Sequence, residues 1–88
     1  MNPLPSNPIA LWSQLLLSEL NDEDKIVRQF DYRIVPDDDV DAEQDWHSVG
    51  AQASQDLLGR VVNDIVETTI DGRPVRVRVQ GHSCEVQR

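Results

Sequence analysis

The stretch Ile9-Ala10-Leu11-Trp12-Ser13-Gln14-Leu15-Leu16-Leu17-Ser18-Glu19-Leu20 decides how the chain is read. Ile9, Trp12, Leu16 and Leu20 recur at helical spacing, and Leu11 and Leu15 widen their stripe to about half a helix circumference. Asn7-Pro8 supplies an N-cap and a first-turn proline. The spacing predicts a greasy first helix from Ile9 that stops at the polar run Asn21-Asp22-Glu23-Asp24. Before it, three prolines within residues 1–8 predict an extended lead-in.

After the first element the period changes. From Ile26 to Val35, Phe30, Tyr32 and Ile34 alternate with Gln29, Asp31 and Arg33, the pattern of a half-buried strand. Pro36 ends it, and an acidic loop spans residues 36–45. Trp46, Val49, Ala53, Leu57, Val61 and Ile65 then recur at three or four residues, which predicts a second helix from Asp41 or Asp45 to Val66. Gly50 and Gly59 each weaken such a helix by roughly 1 kcal/mol. The β-branched residues within 61–66 suit strand as well as helix. Val66, Thr68 and Ile70 alternate, Asp71-Gly72 is a strong hairpin turn, and Val75, Val77 and Val79 alternate again. Cys84-Glu85-Val86 supplies a short last strand. The expected fold class is α+β, in the order α-β-α-β-β. An antiparallel sheet of three or four strands carries two helices on one face, and residues 9–88 form one domain.

Charge narrows the function. The 88 residues carry a formal −8 and a pI of about 4.4. Residues 19–45 hold eleven acids against Lys25, Arg28 and Arg33, while residues 46–88 balance at five and five. This opposes direct binding of nucleic acid and of anionic membrane. No apolar run reaches the roughly 20 residues of a membrane span, and no basic segment precedes the first apolar stretch as in a secretory signal. A single cysteine points to a reducing, cytoplasmic setting.

The candidate chemical motifs are thin. Acids at 37, 39, 41, 43 and 45 occupy the odd ligand positions of a calcium loop, but Ala42 stands where it needs Gly and Ser48 where it needs Glu. His82 and Cys84 share a strand face without a third orienting group. His47, His82 and Cys84 do not match a zinc spacing. No catalytic residue, metal or cofactor is assigned, and the chain is read as a non-enzyme. Arg73, Arg76 and Arg78 are read as a strand's solvent face, paired to the acidic loop or to a second copy.

Two functions follow. The first is a small acidic regulator or inhibitor of the kind carried by phages and mobile elements. It would dock Asp37, Asp38, Asp39, Asp41, Glu43 and Asp45, extended by Asp22, Glu23 and Asp24, on the basic surface of a nucleic-acid-handling protein partner. The alternative is an assembly subunit that homodimerises through Leu11, Trp12, Leu15 and Leu16 of the first helix.

Overall fold

The computed structural model describes residues 8–84, with Cys84 described as backbone only. Residues 1–7 of the expected lead-in, and Glu85 and Val86 of the strand expected at Cys84-Glu85-Val86, lie outside the described residues. Five strands and one short helix follow in the order β1 (Ser13–Leu20), β2 (Ile26–Val35), β3 (Trp46–Ser48), α1 (Gln52–Leu57), β4 (Ile65–Ile70) and β5 (Arg73–Cys84). The strands form one sheet in the order β3-β2-β1-β5-β4. Every neighbouring pair is antiparallel except β2 and β3, which run parallel. The fold is therefore mostly β and mixed, not an antiparallel sheet under two helices.

The expected first helix is strand β1. Ser13, Leu15 and Leu17 are buried while Leu16 between them is 38% exposed, which is a period of two. Three consecutive leucines and a bulge at Glu19/Leu20 disguise that period in the sequence. Trp12 enters the strand at φ 72°, a left-handed conformation that no helix accommodates. Its N–H donates to the Ile34 carbonyl at 2.6 Å, tying the strand's entrance to β2. Ile9 still reaches the core, by a separate route: its N–H donates to the Arg60 carbonyl and its carbonyl accepts from Gly59, both at 2.8 Å.

The expected second helix shrinks to Gln52–Leu57. Gly59 sits just past its end at φ 85°, where a glycine stops a helix cheaply. Residues 61–64 turn, with Asn63 at φ 80°, and Ile65 and Val66 belong to β4. Upstream, residues 36–45 form the crossover that a parallel β2–β3 pair requires, using one-turn 3-10 segments at Asp37–Asp39 and Ala42–Gln44. Strand β2 and the β4–β5 hairpin match the sequence reading. Asp71 (φ 54°) and Gly72 (φ 79°) both take the positive φ that the tight hairpin turn demands. Pro74 is tolerated because it lies before Val77, where β5 begins to pair with β1.

One sheet face carries Leu15, Leu17, Tyr32, Ile34, Val66, Val75, Val77 and Val79. Ala53 and Leu57 of α1 close over it, and Ile9 completes the core. The other face has no helix upon it among the described residues.

Candidate functional site

The parallel pairing of β3 with β2 sets His47 beside Ile34 in register and lays its ring on Tyr32. The two rings stack 4.0 Å apart and 5° from parallel. Below them the Tyr32 hydroxyl and Ser54 Oγ share a hydrogen bond of 2.8 Å, with Ser54 fully buried. At the far side of α1, Thr68 Oγ1 donates to Asp56 Oδ2 at 2.6 Å, and Gln52 Nε2 donates to the same oxygen at 3.1 Å. The short helix is thus fixed to the sheet by polar ties on two sides, which compensates for its marginal length.

Between β3, the start of α1 and the β4–β5 turn lies a hollow of about 230 Å³, lined by Tyr32, His47, Ala51, Gln52, Ala53, Thr69, Ile70, Asp71 and Gly72. It falls below the roughly 300 Å³ at which small-molecule sites begin. It suits one side chain or a tight turn of a protein partner better than a cofactor. Burial raises the Tyr32 phenol above its usual range, against the opposing bond to Ser54, so it stays protonated. Burial also holds the His47 imidazole below its ordinary value, with Asp45 and Asp71 pulling the other way. The site therefore offers a neutral aromatic floor and a carboxylate rim at Asp71. A larger, more open groove of about 600 Å³ lies between α1 and the ends of β1 and β5, bounded by Glu19, Asp22, Asp56, Glu67 and Arg76. It lacks an aromatic floor.

The structure does not assemble the predicted acidic site. Asp37, Asp38, Asp39, Asp41, Glu43 and Asp45 lie on the β2–β3 crossover, whereas Asp22, Glu23 and Asp24 lie in the β1–β2 turn. The ten-residue β2 separates the two groups by about 33 Å. Several of these acids serve the chain itself. Asp37 accepts a hydrogen bond from Ser48 Oγ. Asp41 accepts from the Glu43 N–H at 3.1 Å and from Gln44 Nε2 at 2.8 Å. Asp24 pairs with Arg76. Asp38, Asp39, Glu43 and Asp45 remain exposed.

The predicted apolar interface does not form one surface either. Leu15 is core, Leu16 faces the opposite side of the sheet, Leu11 is exposed, and Trp12 packs edge-on to Trp46 with centroids 5.9 Å apart. The three arginines divide as well. Arg73 and Arg28 hold Glu19 at 3.2 and 2.7 Å and keep its carboxyl below the usual range. Arg76 takes Asp24 and lies 3.8 Å from Glu67. No ion pair among the described residues joins Arg73, Arg76 or Arg78 to the crossover acids.

His82 Nε2 lies 2.8 Å from Ser13 Oγ, which also accepts from the Ala10 N–H at 2.9 Å. Ser13 is fully buried, so this is a clamp on the strand's entrance. The His82–Cys84 pairing lies outside the described side chains. Among the described residues, no group of three or more His, Cys, Asp or Glu side chains is placed to hold a metal ion. Among the described residues no helix is long and apolar enough to cross a membrane. Sequence reasoning missed the Tyr32–His47 cleft because His47 sat within the expected second helix; the Asp71-Gly72 turn at its rim was legible.

No family model and no curated protein matches the sequence. Solved structures do. A prokaryotic transcription elongation factor GreA/GreB from Nitrosomonas europaea superposes with a TM-score of 0.71 at 22% identity, covering 91% of this chain and 63% of its own. GreA factor homolog 1 of Thermus thermophilus superposes with a TM-score of 0.76 at 15% identity, covering 94% of this chain and 53% of its own. The chain thus spans between half and two thirds of these structures, and at such identities the likeness establishes the fold. It replaces the reading of a phage-type nucleic-acid mimic, because the neighbours are elongation-factor domains and the acids are split between two ends of a strand. The helix-mediated assembly subunit falls with the helix itself.

Proposed function

We propose that this chain is a non-catalytic protein-binding module of the transcription elongation machinery, acting in the cytoplasm, and that its contact surface is the Tyr32–His47 cleft. The observation that carries the reading is the superposition of more than nine tenths of the chain on two elongation-factor structures. Elongation factors act on transcribing RNA polymerase, so a polymerase surface is the first partner to test. The cleft supports a protein ligand on physical grounds. It is small and concave, with an apolar and aromatic floor and a polar rim, the arrangement that receives an anchoring side chain of a partner.

The test is binding of the purified chain to purified bacterial RNA polymerase, followed by interferometry. Ala51→Arg fills the cleft, and Asp71→Arg reverses its rim charge. Each is expected to weaken binding by about ten-fold or more, while Glu23→Gln in the distant β1–β2 turn leaves it unchanged. Absence of binding at tens of micromolar, or equal binding by all variants, would reject the proposal.

A further inference from the structure

Strand β4 lies at the edge of the sheet and pairs with β5 alone. Pro74 fixes which of its backbone groups face outward. Proline has no N–H, and it stands opposite Thr69, so Thr69 and Pro74 form a non-hydrogen-bonded pair. By alternation Ile65 and Glu67 do the same, while Val66, Thr68 and Ile70 bond to β5. The Val79 N–H, donating to the Asp64 carbonyl at 3.0 Å, continues that even-numbered set. The N–H and C=O groups of Ile65, Glu67 and Thr69 therefore point away from the sheet, and no backbone partner meets them among the described residues. All three residues are exposed.

The other sheet edge is closed, because β3 has three residues and Asp41 exchanges both backbone hydrogen bonds with Trp46, at 3.1 and 3.0 Å. β4 carries none of the usual protections of an edge: no proline, no lysine and no bulge. Five of its six residues are β-branched, so it is a ready strand former. Glu67 is its single charge, and that side chain is 81% exposed. The cation beside it, Arg76 Nε at 3.8 Å, belongs to a guanidinium already paired with Asp24. On the opposite face of β4, the Asp56 carboxylate is hydrogen-bonded by the neutral donors Thr68 and Gln52.

We propose that β4 receives an extended segment of a partner protein as a sixth strand, and that this segment is basic where it passes Glu67. Main-chain bonds to Ile65, Glu67 and Thr69 supply the affinity of such an addition, and alternate side chains supply its specificity. A Lys or Arg opposite Glu67 completes a cross-strand pair of opposite charge. The next residue of the segment lies on the other face and passes Thr68 and Asp56, so a second basic residue suits that position. A second copy of this chain does not fit. A two-fold that overlaps both β4 strands fully sets Glu67 against Glu67, and each copy brings its own −8. A nucleic acid offers no strand ladder and is repelled by Glu67. The edge takes such a segment from any partner, so its test is independent of polymerase binding.

The probe is the synthetic peptide acetyl-Thr-Val-Lys-Arg-Val-Thr-amide, titrated to millimolar concentration into the full chain, with amide hydrogen exchange followed residue by residue by NMR. In the free protein the Ile65, Glu67 and Thr69 amides are expected to exchange fast and the Val66 and Thr68 amides slowly. Near saturation the peptide is expected to slow the first three by about ten-fold. A peptide with Glu-Asp in place of Lys-Arg is expected to leave them fast. Glu67→Lys keeps the N–H and reverses the charge; it is expected to bind the basic peptide about five-fold more weakly and to lose most of the preference between the two. Slow exchange at the three amides before peptide is added would show the edge already covered, by a second copy if it appears only at high protein concentration, and would overturn the proposal. So would no selective slowing with the basic peptide, an equal response to both peptides, or a preference unchanged in Glu67→Lys.

Discussion

The Tyr32 and Ser54 hydroxyls, joined at 2.8 Å in the buried layer between sheet and helix, are what pins α1 in place beneath the cleft. A six-residue helix has almost no stability of its own. Its position rests on Leu57 and Ala53 in the core, on this bond and on the Thr68–Asp56 hydrogen bond at its other side. Tyr32→Phe keeps the ring and its stack on His47 but leaves the Ser54 hydroxyl buried without this partner. Stability is expected to fall by about 1–2 kcal/mol. Ser54→Ala alone falls by a similar amount, and the double variant falls by less than the sum, because the second change removes a group already unsatisfied. Urea denaturation of the four proteins measures this.

His47 makes the same region sensitive to acid. Its imidazole titrates below the ordinary 6.5 because burial disfavours the charged ring. An unfolded chain then takes up a proton that the folded chain resists. The stabilisation from a neutral His47 is full well above 6.5 and declines as pH falls through 6.5 toward the lower folded value. The melting temperature of the wild type is expected to drop over that interval more steeply than that of His47→Phe, which keeps a stacking ring without the titration. Parallel curves for the two proteins would show that another group governs this window.

The parts of the fold that were legible in sequence are those where local chemistry and tertiary structure agree. Strand β2 alternates cleanly, and Asp71-Gly72 can hardly be anything but a tight turn. The illegible parts are those where two periods coincide. Leu15-Leu16-Leu17 satisfies a helix stripe and a strand equally, and the bulge at Glu19/Leu20 returns Leu20 to a buried position that helical spacing also explains. Trp46 and Val49 fit a helical repeat, yet Trp46 is in a three-residue strand whose partner is set by a crossover. The acidic run was visible as charge, but its use in turn capping and its separation from Asp22, Glu23 and Asp24 depend on strand direction. The cleft was invisible because its floor joins residues from β2, β3 and α1.

The two readings of β1 predict opposite results at adjacent leucines. In a helix with the stripe Ile9, Trp12, Leu16 and Leu20, Leu16 is the core residue. In the strand, Leu17 is fully buried and Leu16 is exposed. Leu17→Ala is expected to cost about 2–5 kcal/mol through lost burial and the cavity left behind. Leu16→Ala is expected to change stability by less than about 1 kcal/mol. Chemical denaturation with equal slopes for both variants gives the comparison. A larger loss at Leu16 than at Leu17 would restore the helix.

Glu19 provides the last test, because the fold places its carboxylate between two guanidinium groups. Arg28 Nε lies 2.7 Å from Oε1 and Arg73 Nη1 lies 3.2 Å from Oε2, so one side chain links β2, β1 and β5. Hydrogen bonds from Arg73, then Arg28, hold its carboxyl below the usual 4.5. A carboxylate with a lowered folded value stabilises the protein above the unfolded value and loses that contribution as pH falls through the folded one. Both arginines are about half exposed, so solvent screens the pairs and the gain stays modest. Glu19→Gln is expected to cost about 1 kcal/mol at neutral pH and low salt. The difference from wild type shrinks when salt is raised, and it vanishes below the folded titration point, where the wild-type carboxyl is itself neutral. Thermal melts at three pH values and two salt concentrations separate this from packing, since a loss that persisted unchanged in acid would come from shape rather than charge.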